Sequence, residues 1–240
     1  MAGINLAARV VHFTGSASDQ DHYPMLLLAI PSEVADRTEF LLGKNPVNPA
    51  DALASQILKL ERAGATVAGM ACNTAHAPAI YDRITEKLQD AGSKITLLHV
   101  IDETLQVILR KHARGSLIGI LGTDGTYQTA IYAAPLKDNG YSLPDPGFAQ
   151  QHEWIHEAIY HPETGIKATG SQIHPEAVER LSRAVKFYRN AGASLILLAC
   201  SEVTLAIDRV DCSGMTVVRP MDILAEALIR EYKNSITFNR

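Results

Sequence analysis

The sequence predicts an α/β fold made of two similar doubly wound domains, each built on a parallel β-sheet. Short apolar segments alternate with longer helical ones along most of the 240 residues. Two of the apolar segments, residues 66–71 and 194–199, show no polar alternation, as is typical of strands buried on both faces. Each follows a similar helix end, LERAGA or YRNAGA, and each leads into a cysteine and a polar turn. This repeat predicts two related halves with one thiol at a strand end in each.

The first half shows a helical pattern near its start and a strand-like run soon after it. Pro49 stands at the favoured first position of a later helix, with Asn48 as its expected cap. The predicted helices cover residues 4–13, 49–64, 78–91 and 101–114, with a helical turn at 38–43, and the predicted strands cover 25–30, 66–71 and 95–100.

The pattern restarts after Gly115. A turn bracketed by glycines, residues 122–126, follows the first strand of this half and opens a helix. Such a turn is suited to hold an anion at the helix N-terminus, but it is equally an ordinary turn capped by Thr126. The predicted strands cover residues 117–121, 194–199 and 216–219, and the predicted helices cover 127–139, 148–160, 175–190 and 221–232. We therefore expect a domain break near residues 102–115 and a cleft between the two halves.

Composition excludes several classes of protein. The chain is 47% hydrophobic and 20% charged with a net charge of −4, and it has no basic run, so we expect no nucleic-acid partner. No apolar stretch reaches the roughly 20 residues of a membrane span and no signal peptide is evident, so we expect no membrane partner and a cytoplasmic location. Three cysteines argue against a disulfide framework. His152 and His156 are four residues apart, but Glu153 is not placed as in HExxH, so we expect no metal site.

The two cysteines at strand ends, Cys72 and Cys200, can act as a pair on one small molecule. A thiolate removes a proton from carbon while a thiol returns one to the opposite face, which inverts a stereocentre without a cofactor. The nearby helix N-termini provide a field that lowers a thiol pKa, and the hydroxyls of Thr74 and Ser201 can donate to a substrate carboxylate. A single cysteine in this setting more often fills a core, but two in matched halves favour a function. We assign no role to Cys212.

The segments CNTAH, residues 72–76, and LACSE, residues 198–202, resemble the two catalytic motifs of the aspartate/glutamate racemase family. Segments DHYP at 21–24, DRT at 36–38, LHVID at 98–102, TDGT at 123–126 and GIK at 165–167 also have family counterparts in the same order. The resemblance covers about residues 5–230. Glutamate racemases carry His where this chain has Glu202, so the resemblance is strongest to racemases that act on aspartate.

The resemblance implies racemisation by two cysteines without a cofactor. It also implies a dicarboxylic amino acid as the substrate, and a homodimer. It implies that Arg37 and Lys167 hold the two carboxylates, which suits their charge. It also assigns the last helix to the first domain, giving domains of residues 1–104 with 209–240 and of residues 105–208. The expected site consists of the catalytic Cys72 and Cys200 and the substrate-binding Arg37, Asn73, Thr74, Thr126, Lys167, Ser201 and Glu202.

Two departures from the family pattern matter. The second motif has Ala199 for Gly and Ser201 for Thr, and the serine keeps the hydroxyl. Family members also begin with a strand and a glycine-rich turn, whereas this sequence begins at Met1-Ala2-Gly3. We therefore expect the first strand of domain 1 to be missing, which leaves a gap between the segments at 25–30 and 66–71. Restoring such a strand should raise stability and activity.

Three functions remain open from the sequence. The first is an aspartate racemase. The second is another two-thiol isomerase of the superfamily, acting on glutamate, a hydantoin or maleate. The third is a non-catalytic dicarboxylate-binding protein, which the absence of the glycine-rich segment makes credible. Substrate assays discriminate the first two, and exchange of the substrate α-proton discriminates both from the third.

Overall fold

A computed structural model describes residues 1–237, and the chain divides into two compact units. The first unit comprises Ala2–Thr104 and the chain from Met221 onward, and the second comprises Leu105–Pro220. Each unit holds its own parallel β-sheet among helices, which confirms the α/β class and the two-sheet organisation predicted from the sequence. Within residues 1–237, no helix combines the length and the hydrophobicity needed to cross a bilayer.

The first unit is built on two parallel strands. Strand β1 (Val67–Gly69) pairs with β2 (Thr96–Leu98), with Ala68 opposite Leu97. Both strands are shorter than predicted but lie inside the predicted segments. The α-helices of this unit are Ala2–Thr14, Arg37–Leu41, Ala50–Arg62, Pro78–Asp90 and Pro220–Thr237, and helix Val100–Lys111 contains the boundary to the second unit.

A cluster of apolar side chains supports the end of β1. Helix Ala50–Arg62 packs against helix Pro78–Asp90, which contributes the fully buried Ile80 and Ile84. Met70 and Cys72, which follow β1, pack against the same cluster. Burial of each isoleucine stabilises the fold by about 2 kcal/mol. This cluster therefore holds the chain in place where it leaves the sheet.

Residues 25–30 form no strand, contrary to the sequence prediction. Their apolar run resembles that of the other strands, but Met25, Leu26 and Leu27 are 44%, 50% and 49% exposed. A strand exists only when a neighbouring strand accepts and donates its backbone hydrogen bonds, and this segment has no adjacent strand in the described structure.

A cavity of about 520 Å³ lies between this segment and the free edge of β1. In the parallel register Ala68 bonds to β2, so the backbone N–H and C=O groups of Val67 and Gly69 point away from β2. Helices Ala2–Thr14 and Pro220–Thr237 line the cavity as well. Unpaired backbone groups on one side and covering helices on the others are the environment of an interior sheet strand. The cavity lies where the sequence predicted a gap between the segments at 25–30 and 66–71.

The second unit is built on three parallel strands in the order β3 (Ile118–Ile120), β4 (Leu195–Leu197) and β5 (Thr216–Val218). All three residues of the central strand β4 are buried, as its unbroken apolar run predicts. The α-helices of this unit are Asp124–Thr129, Ala133–Asp138, Phe148–Gln151, Glu157–Tyr160, Ile166–Thr169, Pro175–Asn190 and Val203–Ala206.

A glycine allows a helix to approach this sheet closely. Helix Pro175–Asn190, predicted with these bounds, packs its Tyr188 ring over Gly119 of β3. A Cβ at Gly119 would lie 2.4 Å from that ring, so no other residue fits without displacement. The Tyr188 hydroxyl donates to the Ile120 carbonyl at 3.1 Å, which gives the buried phenol a partner. The contact fixes the height of the helix above β3.

Two predicted helices differ in the structure. The helix predicted over residues 127–139 begins earlier, at Asp124, and is broken at Ala130, which has a left-handed φ of 51°. The helix predicted over 148–160 is continuous in helical conformation, but its middle turn, His152–His156, is a π-helix. Neither feature has a sequence signal, because alanine disfavours positive φ and a single π turn adds only one residue to a helix that continues on both sides.

The two units of the structure divide the chain after Thr104, and the segment before the last helix belongs to the second of them. The sequence assigned residues 209–240 to the first domain. In the structure β5 pairs with β4, with Val217 opposite Ile196, so this segment belongs to the second unit. The chain returns to the first unit only after Pro220.

A strand-forming extension tests whether the cavity beside β1 accepts a strand. We expect about six added residues rich in Val and Ile, joined to Met1 through a short turn, to raise the Tm by about 5 °C, because they would bury apolar side chains and pair the edge of β1. Thermal unfolding followed by circular dichroism measures this. An extension of equal length with alternating Lys and Glu should leave the Tm unchanged. Equal Tm values for the two extended chains would show that the cavity does not accept a strand.

Candidate active site

The first candidate cysteine stands at the carboxyl end of β1. Cys72 is half-buried and its extended backbone leads into a 3-10 helix, Asn73–His76. The Cys72 Sγ lies 3.3 Å from Thr74 Oγ1 and shares a hydrogen bond with it. Asn73 and Thr74 are both buried. The thiol thus has a hydroxyl partner two residues further along the chain.

A buried histidine fixes the shape of this turn. The Nδ1–H of His76 donates to the Cys72 carbonyl at 2.9 Å, and the ring stacks on Tyr81 with centroids 5.5 Å apart. Burial, and to a lesser extent the neighbouring His99, lowers the pKa of His76 to about 4. The ring is therefore neutral near pH 7 and acts as a structural anchor. Sequence reasoning missed this role, although His76 belongs to the first cysteine motif.

Arg37 lies in the same unit as this turn. It is the first residue of helix Arg37–Leu41, which Asp36 caps by accepting from the Glu39 N–H at 3.0 Å. The helix packs against the Asn73–His76 turn. The sequence predicted a loop through Arg37 and a helical turn only from residue 38. The cap at Asp36 moves the helix start to Arg37 and fixes its backbone.

The second candidate cysteine follows β4 and is buried. The Cys200 thiol donates to Glu202 Oε2 at 3.1 Å, and the Ser201 hydroxyl donates to the same oxygen at 3.0 Å. The thiol therefore contacts the side chain two residues ahead, as Cys72 does with Thr74. The two turns share this local geometry but differ in charge, because one partner is a hydroxyl and the other a carboxylate.

The environment of Cys200 keeps its thiol protonated. Burial, followed by the charge of Glu202, raises the pKa of Cys200 well above the ordinary thiol value, while the charge of Lys167 acts in the opposite direction. The sequence-based expectation that a helix N-terminus lowers the thiol pKa is wrong for Cys200. The following helix, Val203–Ala206, has only four residues, and the Glu202 carboxylate contacts the sulfur.

The turn after β3 packs beside the end of β4. Thr123 caps its helix by accepting from the Thr126 N–H at 3.4 Å, so the cap is Thr123 and not Thr126. A Cβ at Gly122 would lie 2.8 Å from Thr126 and 3.2 Å from Ala199, which requires glycine there. The buried Gln151 donates to the Gly122 carbonyl at 2.8 Å. This packing brings Thr126 close to the cysteine motif.

Lys167 is exposed and lies in the short helix Ile166–Thr169. Its Nζ is 3.7 Å from the centroid of the Tyr160 ring, a cation–π distance. Tyr160 in turn stacks on His156, with centroids 4.6 Å apart and ring planes 12° apart. The aromatic ring thus holds the ammonium group within electrostatic range of Cys200.

The predicted site residues form one group in each unit. In the first unit the structure brings together Cys72, Asn73 and Thr74, with Arg37 on the helix that packs against their turn. In the second unit it brings together Cys200, Ser201 and Glu202, with Thr126 and Lys167 near them. A cavity of about 280 Å³ in the second unit is lined by Thr123, Thr126 and Gln151, but Cys200 does not line it.

Comparisons with known proteins agree with these motifs. A family model described as Asp/Glu/Hydantoin racemase matches residues 1–228. The chain is 26% identical over 223 residues to the broad specificity amino-acid racemase RacX of Bacillus subtilis (strain 168), and the match covers 91% of this chain and 86% of that protein.

Solved structures show the same similarity. The aspartate racemase of Picrophilus torridus matches with a TM-score of 0.76 and 25% identity, over 96% of this chain and 88% of that one. Glutamate racemase isoform RacE1 from Bacillus anthracis shares the fold, with a TM-score of 0.57 and 14% identity, over 98% of this chain and 79% of that one.

The raised pKa of Cys200 predicts a dependence of stability on pH. The folded state holds the thiol proton more tightly than the unfolded state, whose thiol titrates near pH 8.5. The stability that this tighter proton binding contributes is retained below that pH. It is lost as the pH rises above it, by up to about 1.4 kcal/mol per pH unit. Cys200→Ser removes the titrating group, so its unfolding free energy should fall less steeply between pH 8 and about 10.

Urea unfolding of the wild type and of Cys200→Ser across this pH range measures the effect. The difference in unfolding free energy between the two proteins at pH 7 serves as the control. It contains every effect of the substitution except the titration of the thiol. A difference that stays constant up to pH 10 would contradict the raised pKa.

Proposed function

The chain belongs to the Asp/Glu/hydantoin racemase family, and we propose that it interconverts L- and D-aspartate with Cys72 and Cys200 as acid and base. Members of this family are isomerases, and the chain is an enzyme of that class. The observation that carries the proposal is the pair of matched turns, each of which presents a thiol at the carboxyl end of a parallel strand.

The proposed reaction needs two proton transfers and no redox change. The thiolate of one cysteine takes the α-proton of the amino acid, and the electron pair is delocalised into the α-carboxylate. The thiol of the other cysteine then donates a proton to the opposite face of the same carbon. One thiol is regenerated as the other loses its proton, so the next turnover runs in the reverse direction unless the two exchange protons with solvent.

The difference between the two turns gives each cysteine a starting role. Cys200 is protonated in the absence of substrate, because burial and Glu202 raise its pKa. It is therefore the proposed proton donor for the first turnover, and Cys72 is the proposed base. Glu202 accepts the S–H hydrogen bond at 3.1 Å, so it orients the thiol before the transfer. The charge of Lys167 offsets part of the cost of the thiolate that remains.

Two cations are proposed to recognise the substrate carboxylates. Arg37 begins a capped helix that packs against the Cys72 turn, and Lys167 lies within electrostatic range of Cys200. One positive charge in each unit suits a dicarboxylic amino acid. The hydroxyls of Thr74, Thr126 and Ser201 and the amide of Asn73 provide further donors beside the cysteines.

A wider substrate range is the second candidate function. The relative from Bacillus subtilis is named a broad specificity amino-acid racemase, and it matches 91% of this chain. The exposed Lys167 lies over an aromatic ring, which can also pack against an apolar side chain. A broad racemase would keep the two-cysteine reaction but would depend less on the second cation.

Deuterium exchange tests the two-cysteine proposal. In D₂O, the wild type should replace the α-proton of L-aspartate and form D-aspartate, as measured by NMR and chiral chromatography. Cys72→Ser and Cys200→Ser should each lower racemisation by at least about 100-fold, because a serine hydroxyl is a far weaker acid and base at neutral pH. Cys212→Ser is the matched control and should keep the wild-type rate.

The single variants also separate the two roles. Cys200→Ser keeps the proposed base, so it should exchange the α-proton of one enantiomer without inverting it. Near-full racemisation by either single variant would exclude the two-base mechanism. Tight binding of aspartate by the wild type without any exchange would instead identify a binding protein.

Substrate preference tests the two cations. Arg37→Gln and Lys167→Gln should each lower kcat/KM for aspartate by about 10- to 100-fold, because each removes a charged hydrogen bond to a carboxylate. One of them should leave kcat/KM for alanine nearly unchanged, since alanine lacks the second carboxylate. The exposed Arg62→Gln and Lys186→Gln are matched controls. Little loss of kcat/KM for aspartate in one of the two variants would favour the broad specificity, which depends less on the second cation.

A further inference from the structure

The second unit contains a cluster of metal-ligating side chains beside the turn after β3. Asp124, His152 and His156 each offer one donor atom, and these three atoms lie within 4.8 Å of one another. Asp124 Oδ2 is 2.6 Å from His152 Nδ1 and 3.8 Å from His156 Nδ1. The proposed racemisation gives none of these three residues a task.

The local fold builds this cluster from two distant parts of the chain. Asp124 is buried in the capped turn after β3, and the two histidines lie four residues apart on the π-helical turn His152–His156. Their rings stack with centroids 5.1 Å apart and planes 22° apart. Two histidines at this spacing on one helical face can bind one metal ion, and π turns occur often at functional sites.

The hydrogen bonds of the cluster leave it prepared for a cation. The backbone N–H of Asp124 donates to His156 Nδ1 at 3.3 Å, so this nitrogen is unprotonated, and a metal ion would replace that hydrogen bond. His152 Nδ1 donates to Asp124 Oδ2, while the other oxygen of the carboxylate, Oδ1, is buried without a hydrogen-bond partner in the described structure. A buried carboxylate with one oxygen unpartnered is costly, and a cation bound to this carboxylate would offset part of that cost by its charge.

We propose that Asp124, His152 and His156 form a binding site for a divalent transition metal ion such as Zn²⁺. Imidazole nitrogens and a carboxylate oxygen are common zinc ligands, with bonds of about 2.0–2.2 Å and ligand atoms about 3.3 Å apart in a tetrahedron. Asp124 and His152 would move apart by about 0.7 Å and His156 would move closer by about 0.5 Å. Three protein ligands leave the fourth position to water.

A fourth residue supports the site from the outer side. When His152 Nδ1 binds the metal, the ring proton resides on Nε2, which lies 3.6 Å from Glu157 Oε1. A carboxylate that accepts from the second nitrogen of a ligating histidine orients the ring and strengthens the metal bond. Glu157 would therefore be a positioning residue. The expectation of no metal site rested on histidine spacing alone, which does not show that Asp124 joins the pair.

Zinc binding to the purified wild-type chain tests the proposal, with a chromophoric chelator as competitor. We expect one equivalent of Zn²⁺ with a Kd in the micromolar range or below, and an increase in Tm at saturating Zn²⁺. His152→Gln should weaken binding at least about tenfold, as should Asp124→Asn. His152 has a side chain that is 44% exposed, so its variant should fold normally, which circular dichroism verifies. The exposed His12→Gln is the matched control and should bind as the wild type does.

The spectrum of the Co²⁺-loaded protein identifies the ligands. Ligand-field bands without a thiolate charge-transfer band would support the His and Asp site, and a thiolate band would overturn it by locating the metal at a cysteine. The proposal is also overturned if Zn²⁺ does not bind stoichiometrically, or if His12→Gln weakens binding as much as His152→Gln does. None of these measurements depends on racemase activity.

Discussion

Parallel pairing of short apolar strands determines where both cysteines stand. β4 is buried along its whole length and pairs with a strand on each side, so the position of its carboxyl end is fixed by two ladders. Cys200 lies three residues beyond that end. β1 has one paired neighbour, and the position of Cys72 depends on a single ladder together with side-chain packing. In both units the thiol is placed by the sheet and oriented by the residue two positions later.

The residue two positions after each cysteine gives the two turns different electrostatic properties. Thr74 offers the Cys72 sulfur a neutral partner, whereas Glu202 offers Cys200 a carboxylate that accepts its proton in a hydrogen bond. A reaction that needs one base and one acid benefits from this asymmetry, because two identical thiols would have no preferred starting state. Burial of Cys200 increases the difference further.

The strands that bear the cysteines could be predicted because an unbroken apolar run followed by a polar turn is a local signal. The run at residues 25–30 gives the same signal, yet it forms no strand, because pairing depends on a neighbour that local sequence does not reveal. The break at Ala130 and the π turn His152–His156 likewise have no local signal. Contacts such as Gln151 with Gly122 depend on the tertiary fold, so the sequence did not reveal the residues that anchor these turns. The roles of the residues in the cysteine motifs stay a prediction.

The anchors of the Cys72 turn compensate for the single ladder of β1. A second ladder would provide backbone hydrogen bonds on the open side of the strand. In their place, the buried ring of His76 donates to the Cys72 carbonyl, and the capped helix Arg37–Leu41 packs against the same turn. Burial lowers the pKa of His76 to about 4, so this hydrogen bond carries no charge near pH 7 and needs no counterion. The geometry of the half-buried thiol therefore depends on a neutral side-chain contact rather than on an extended sheet.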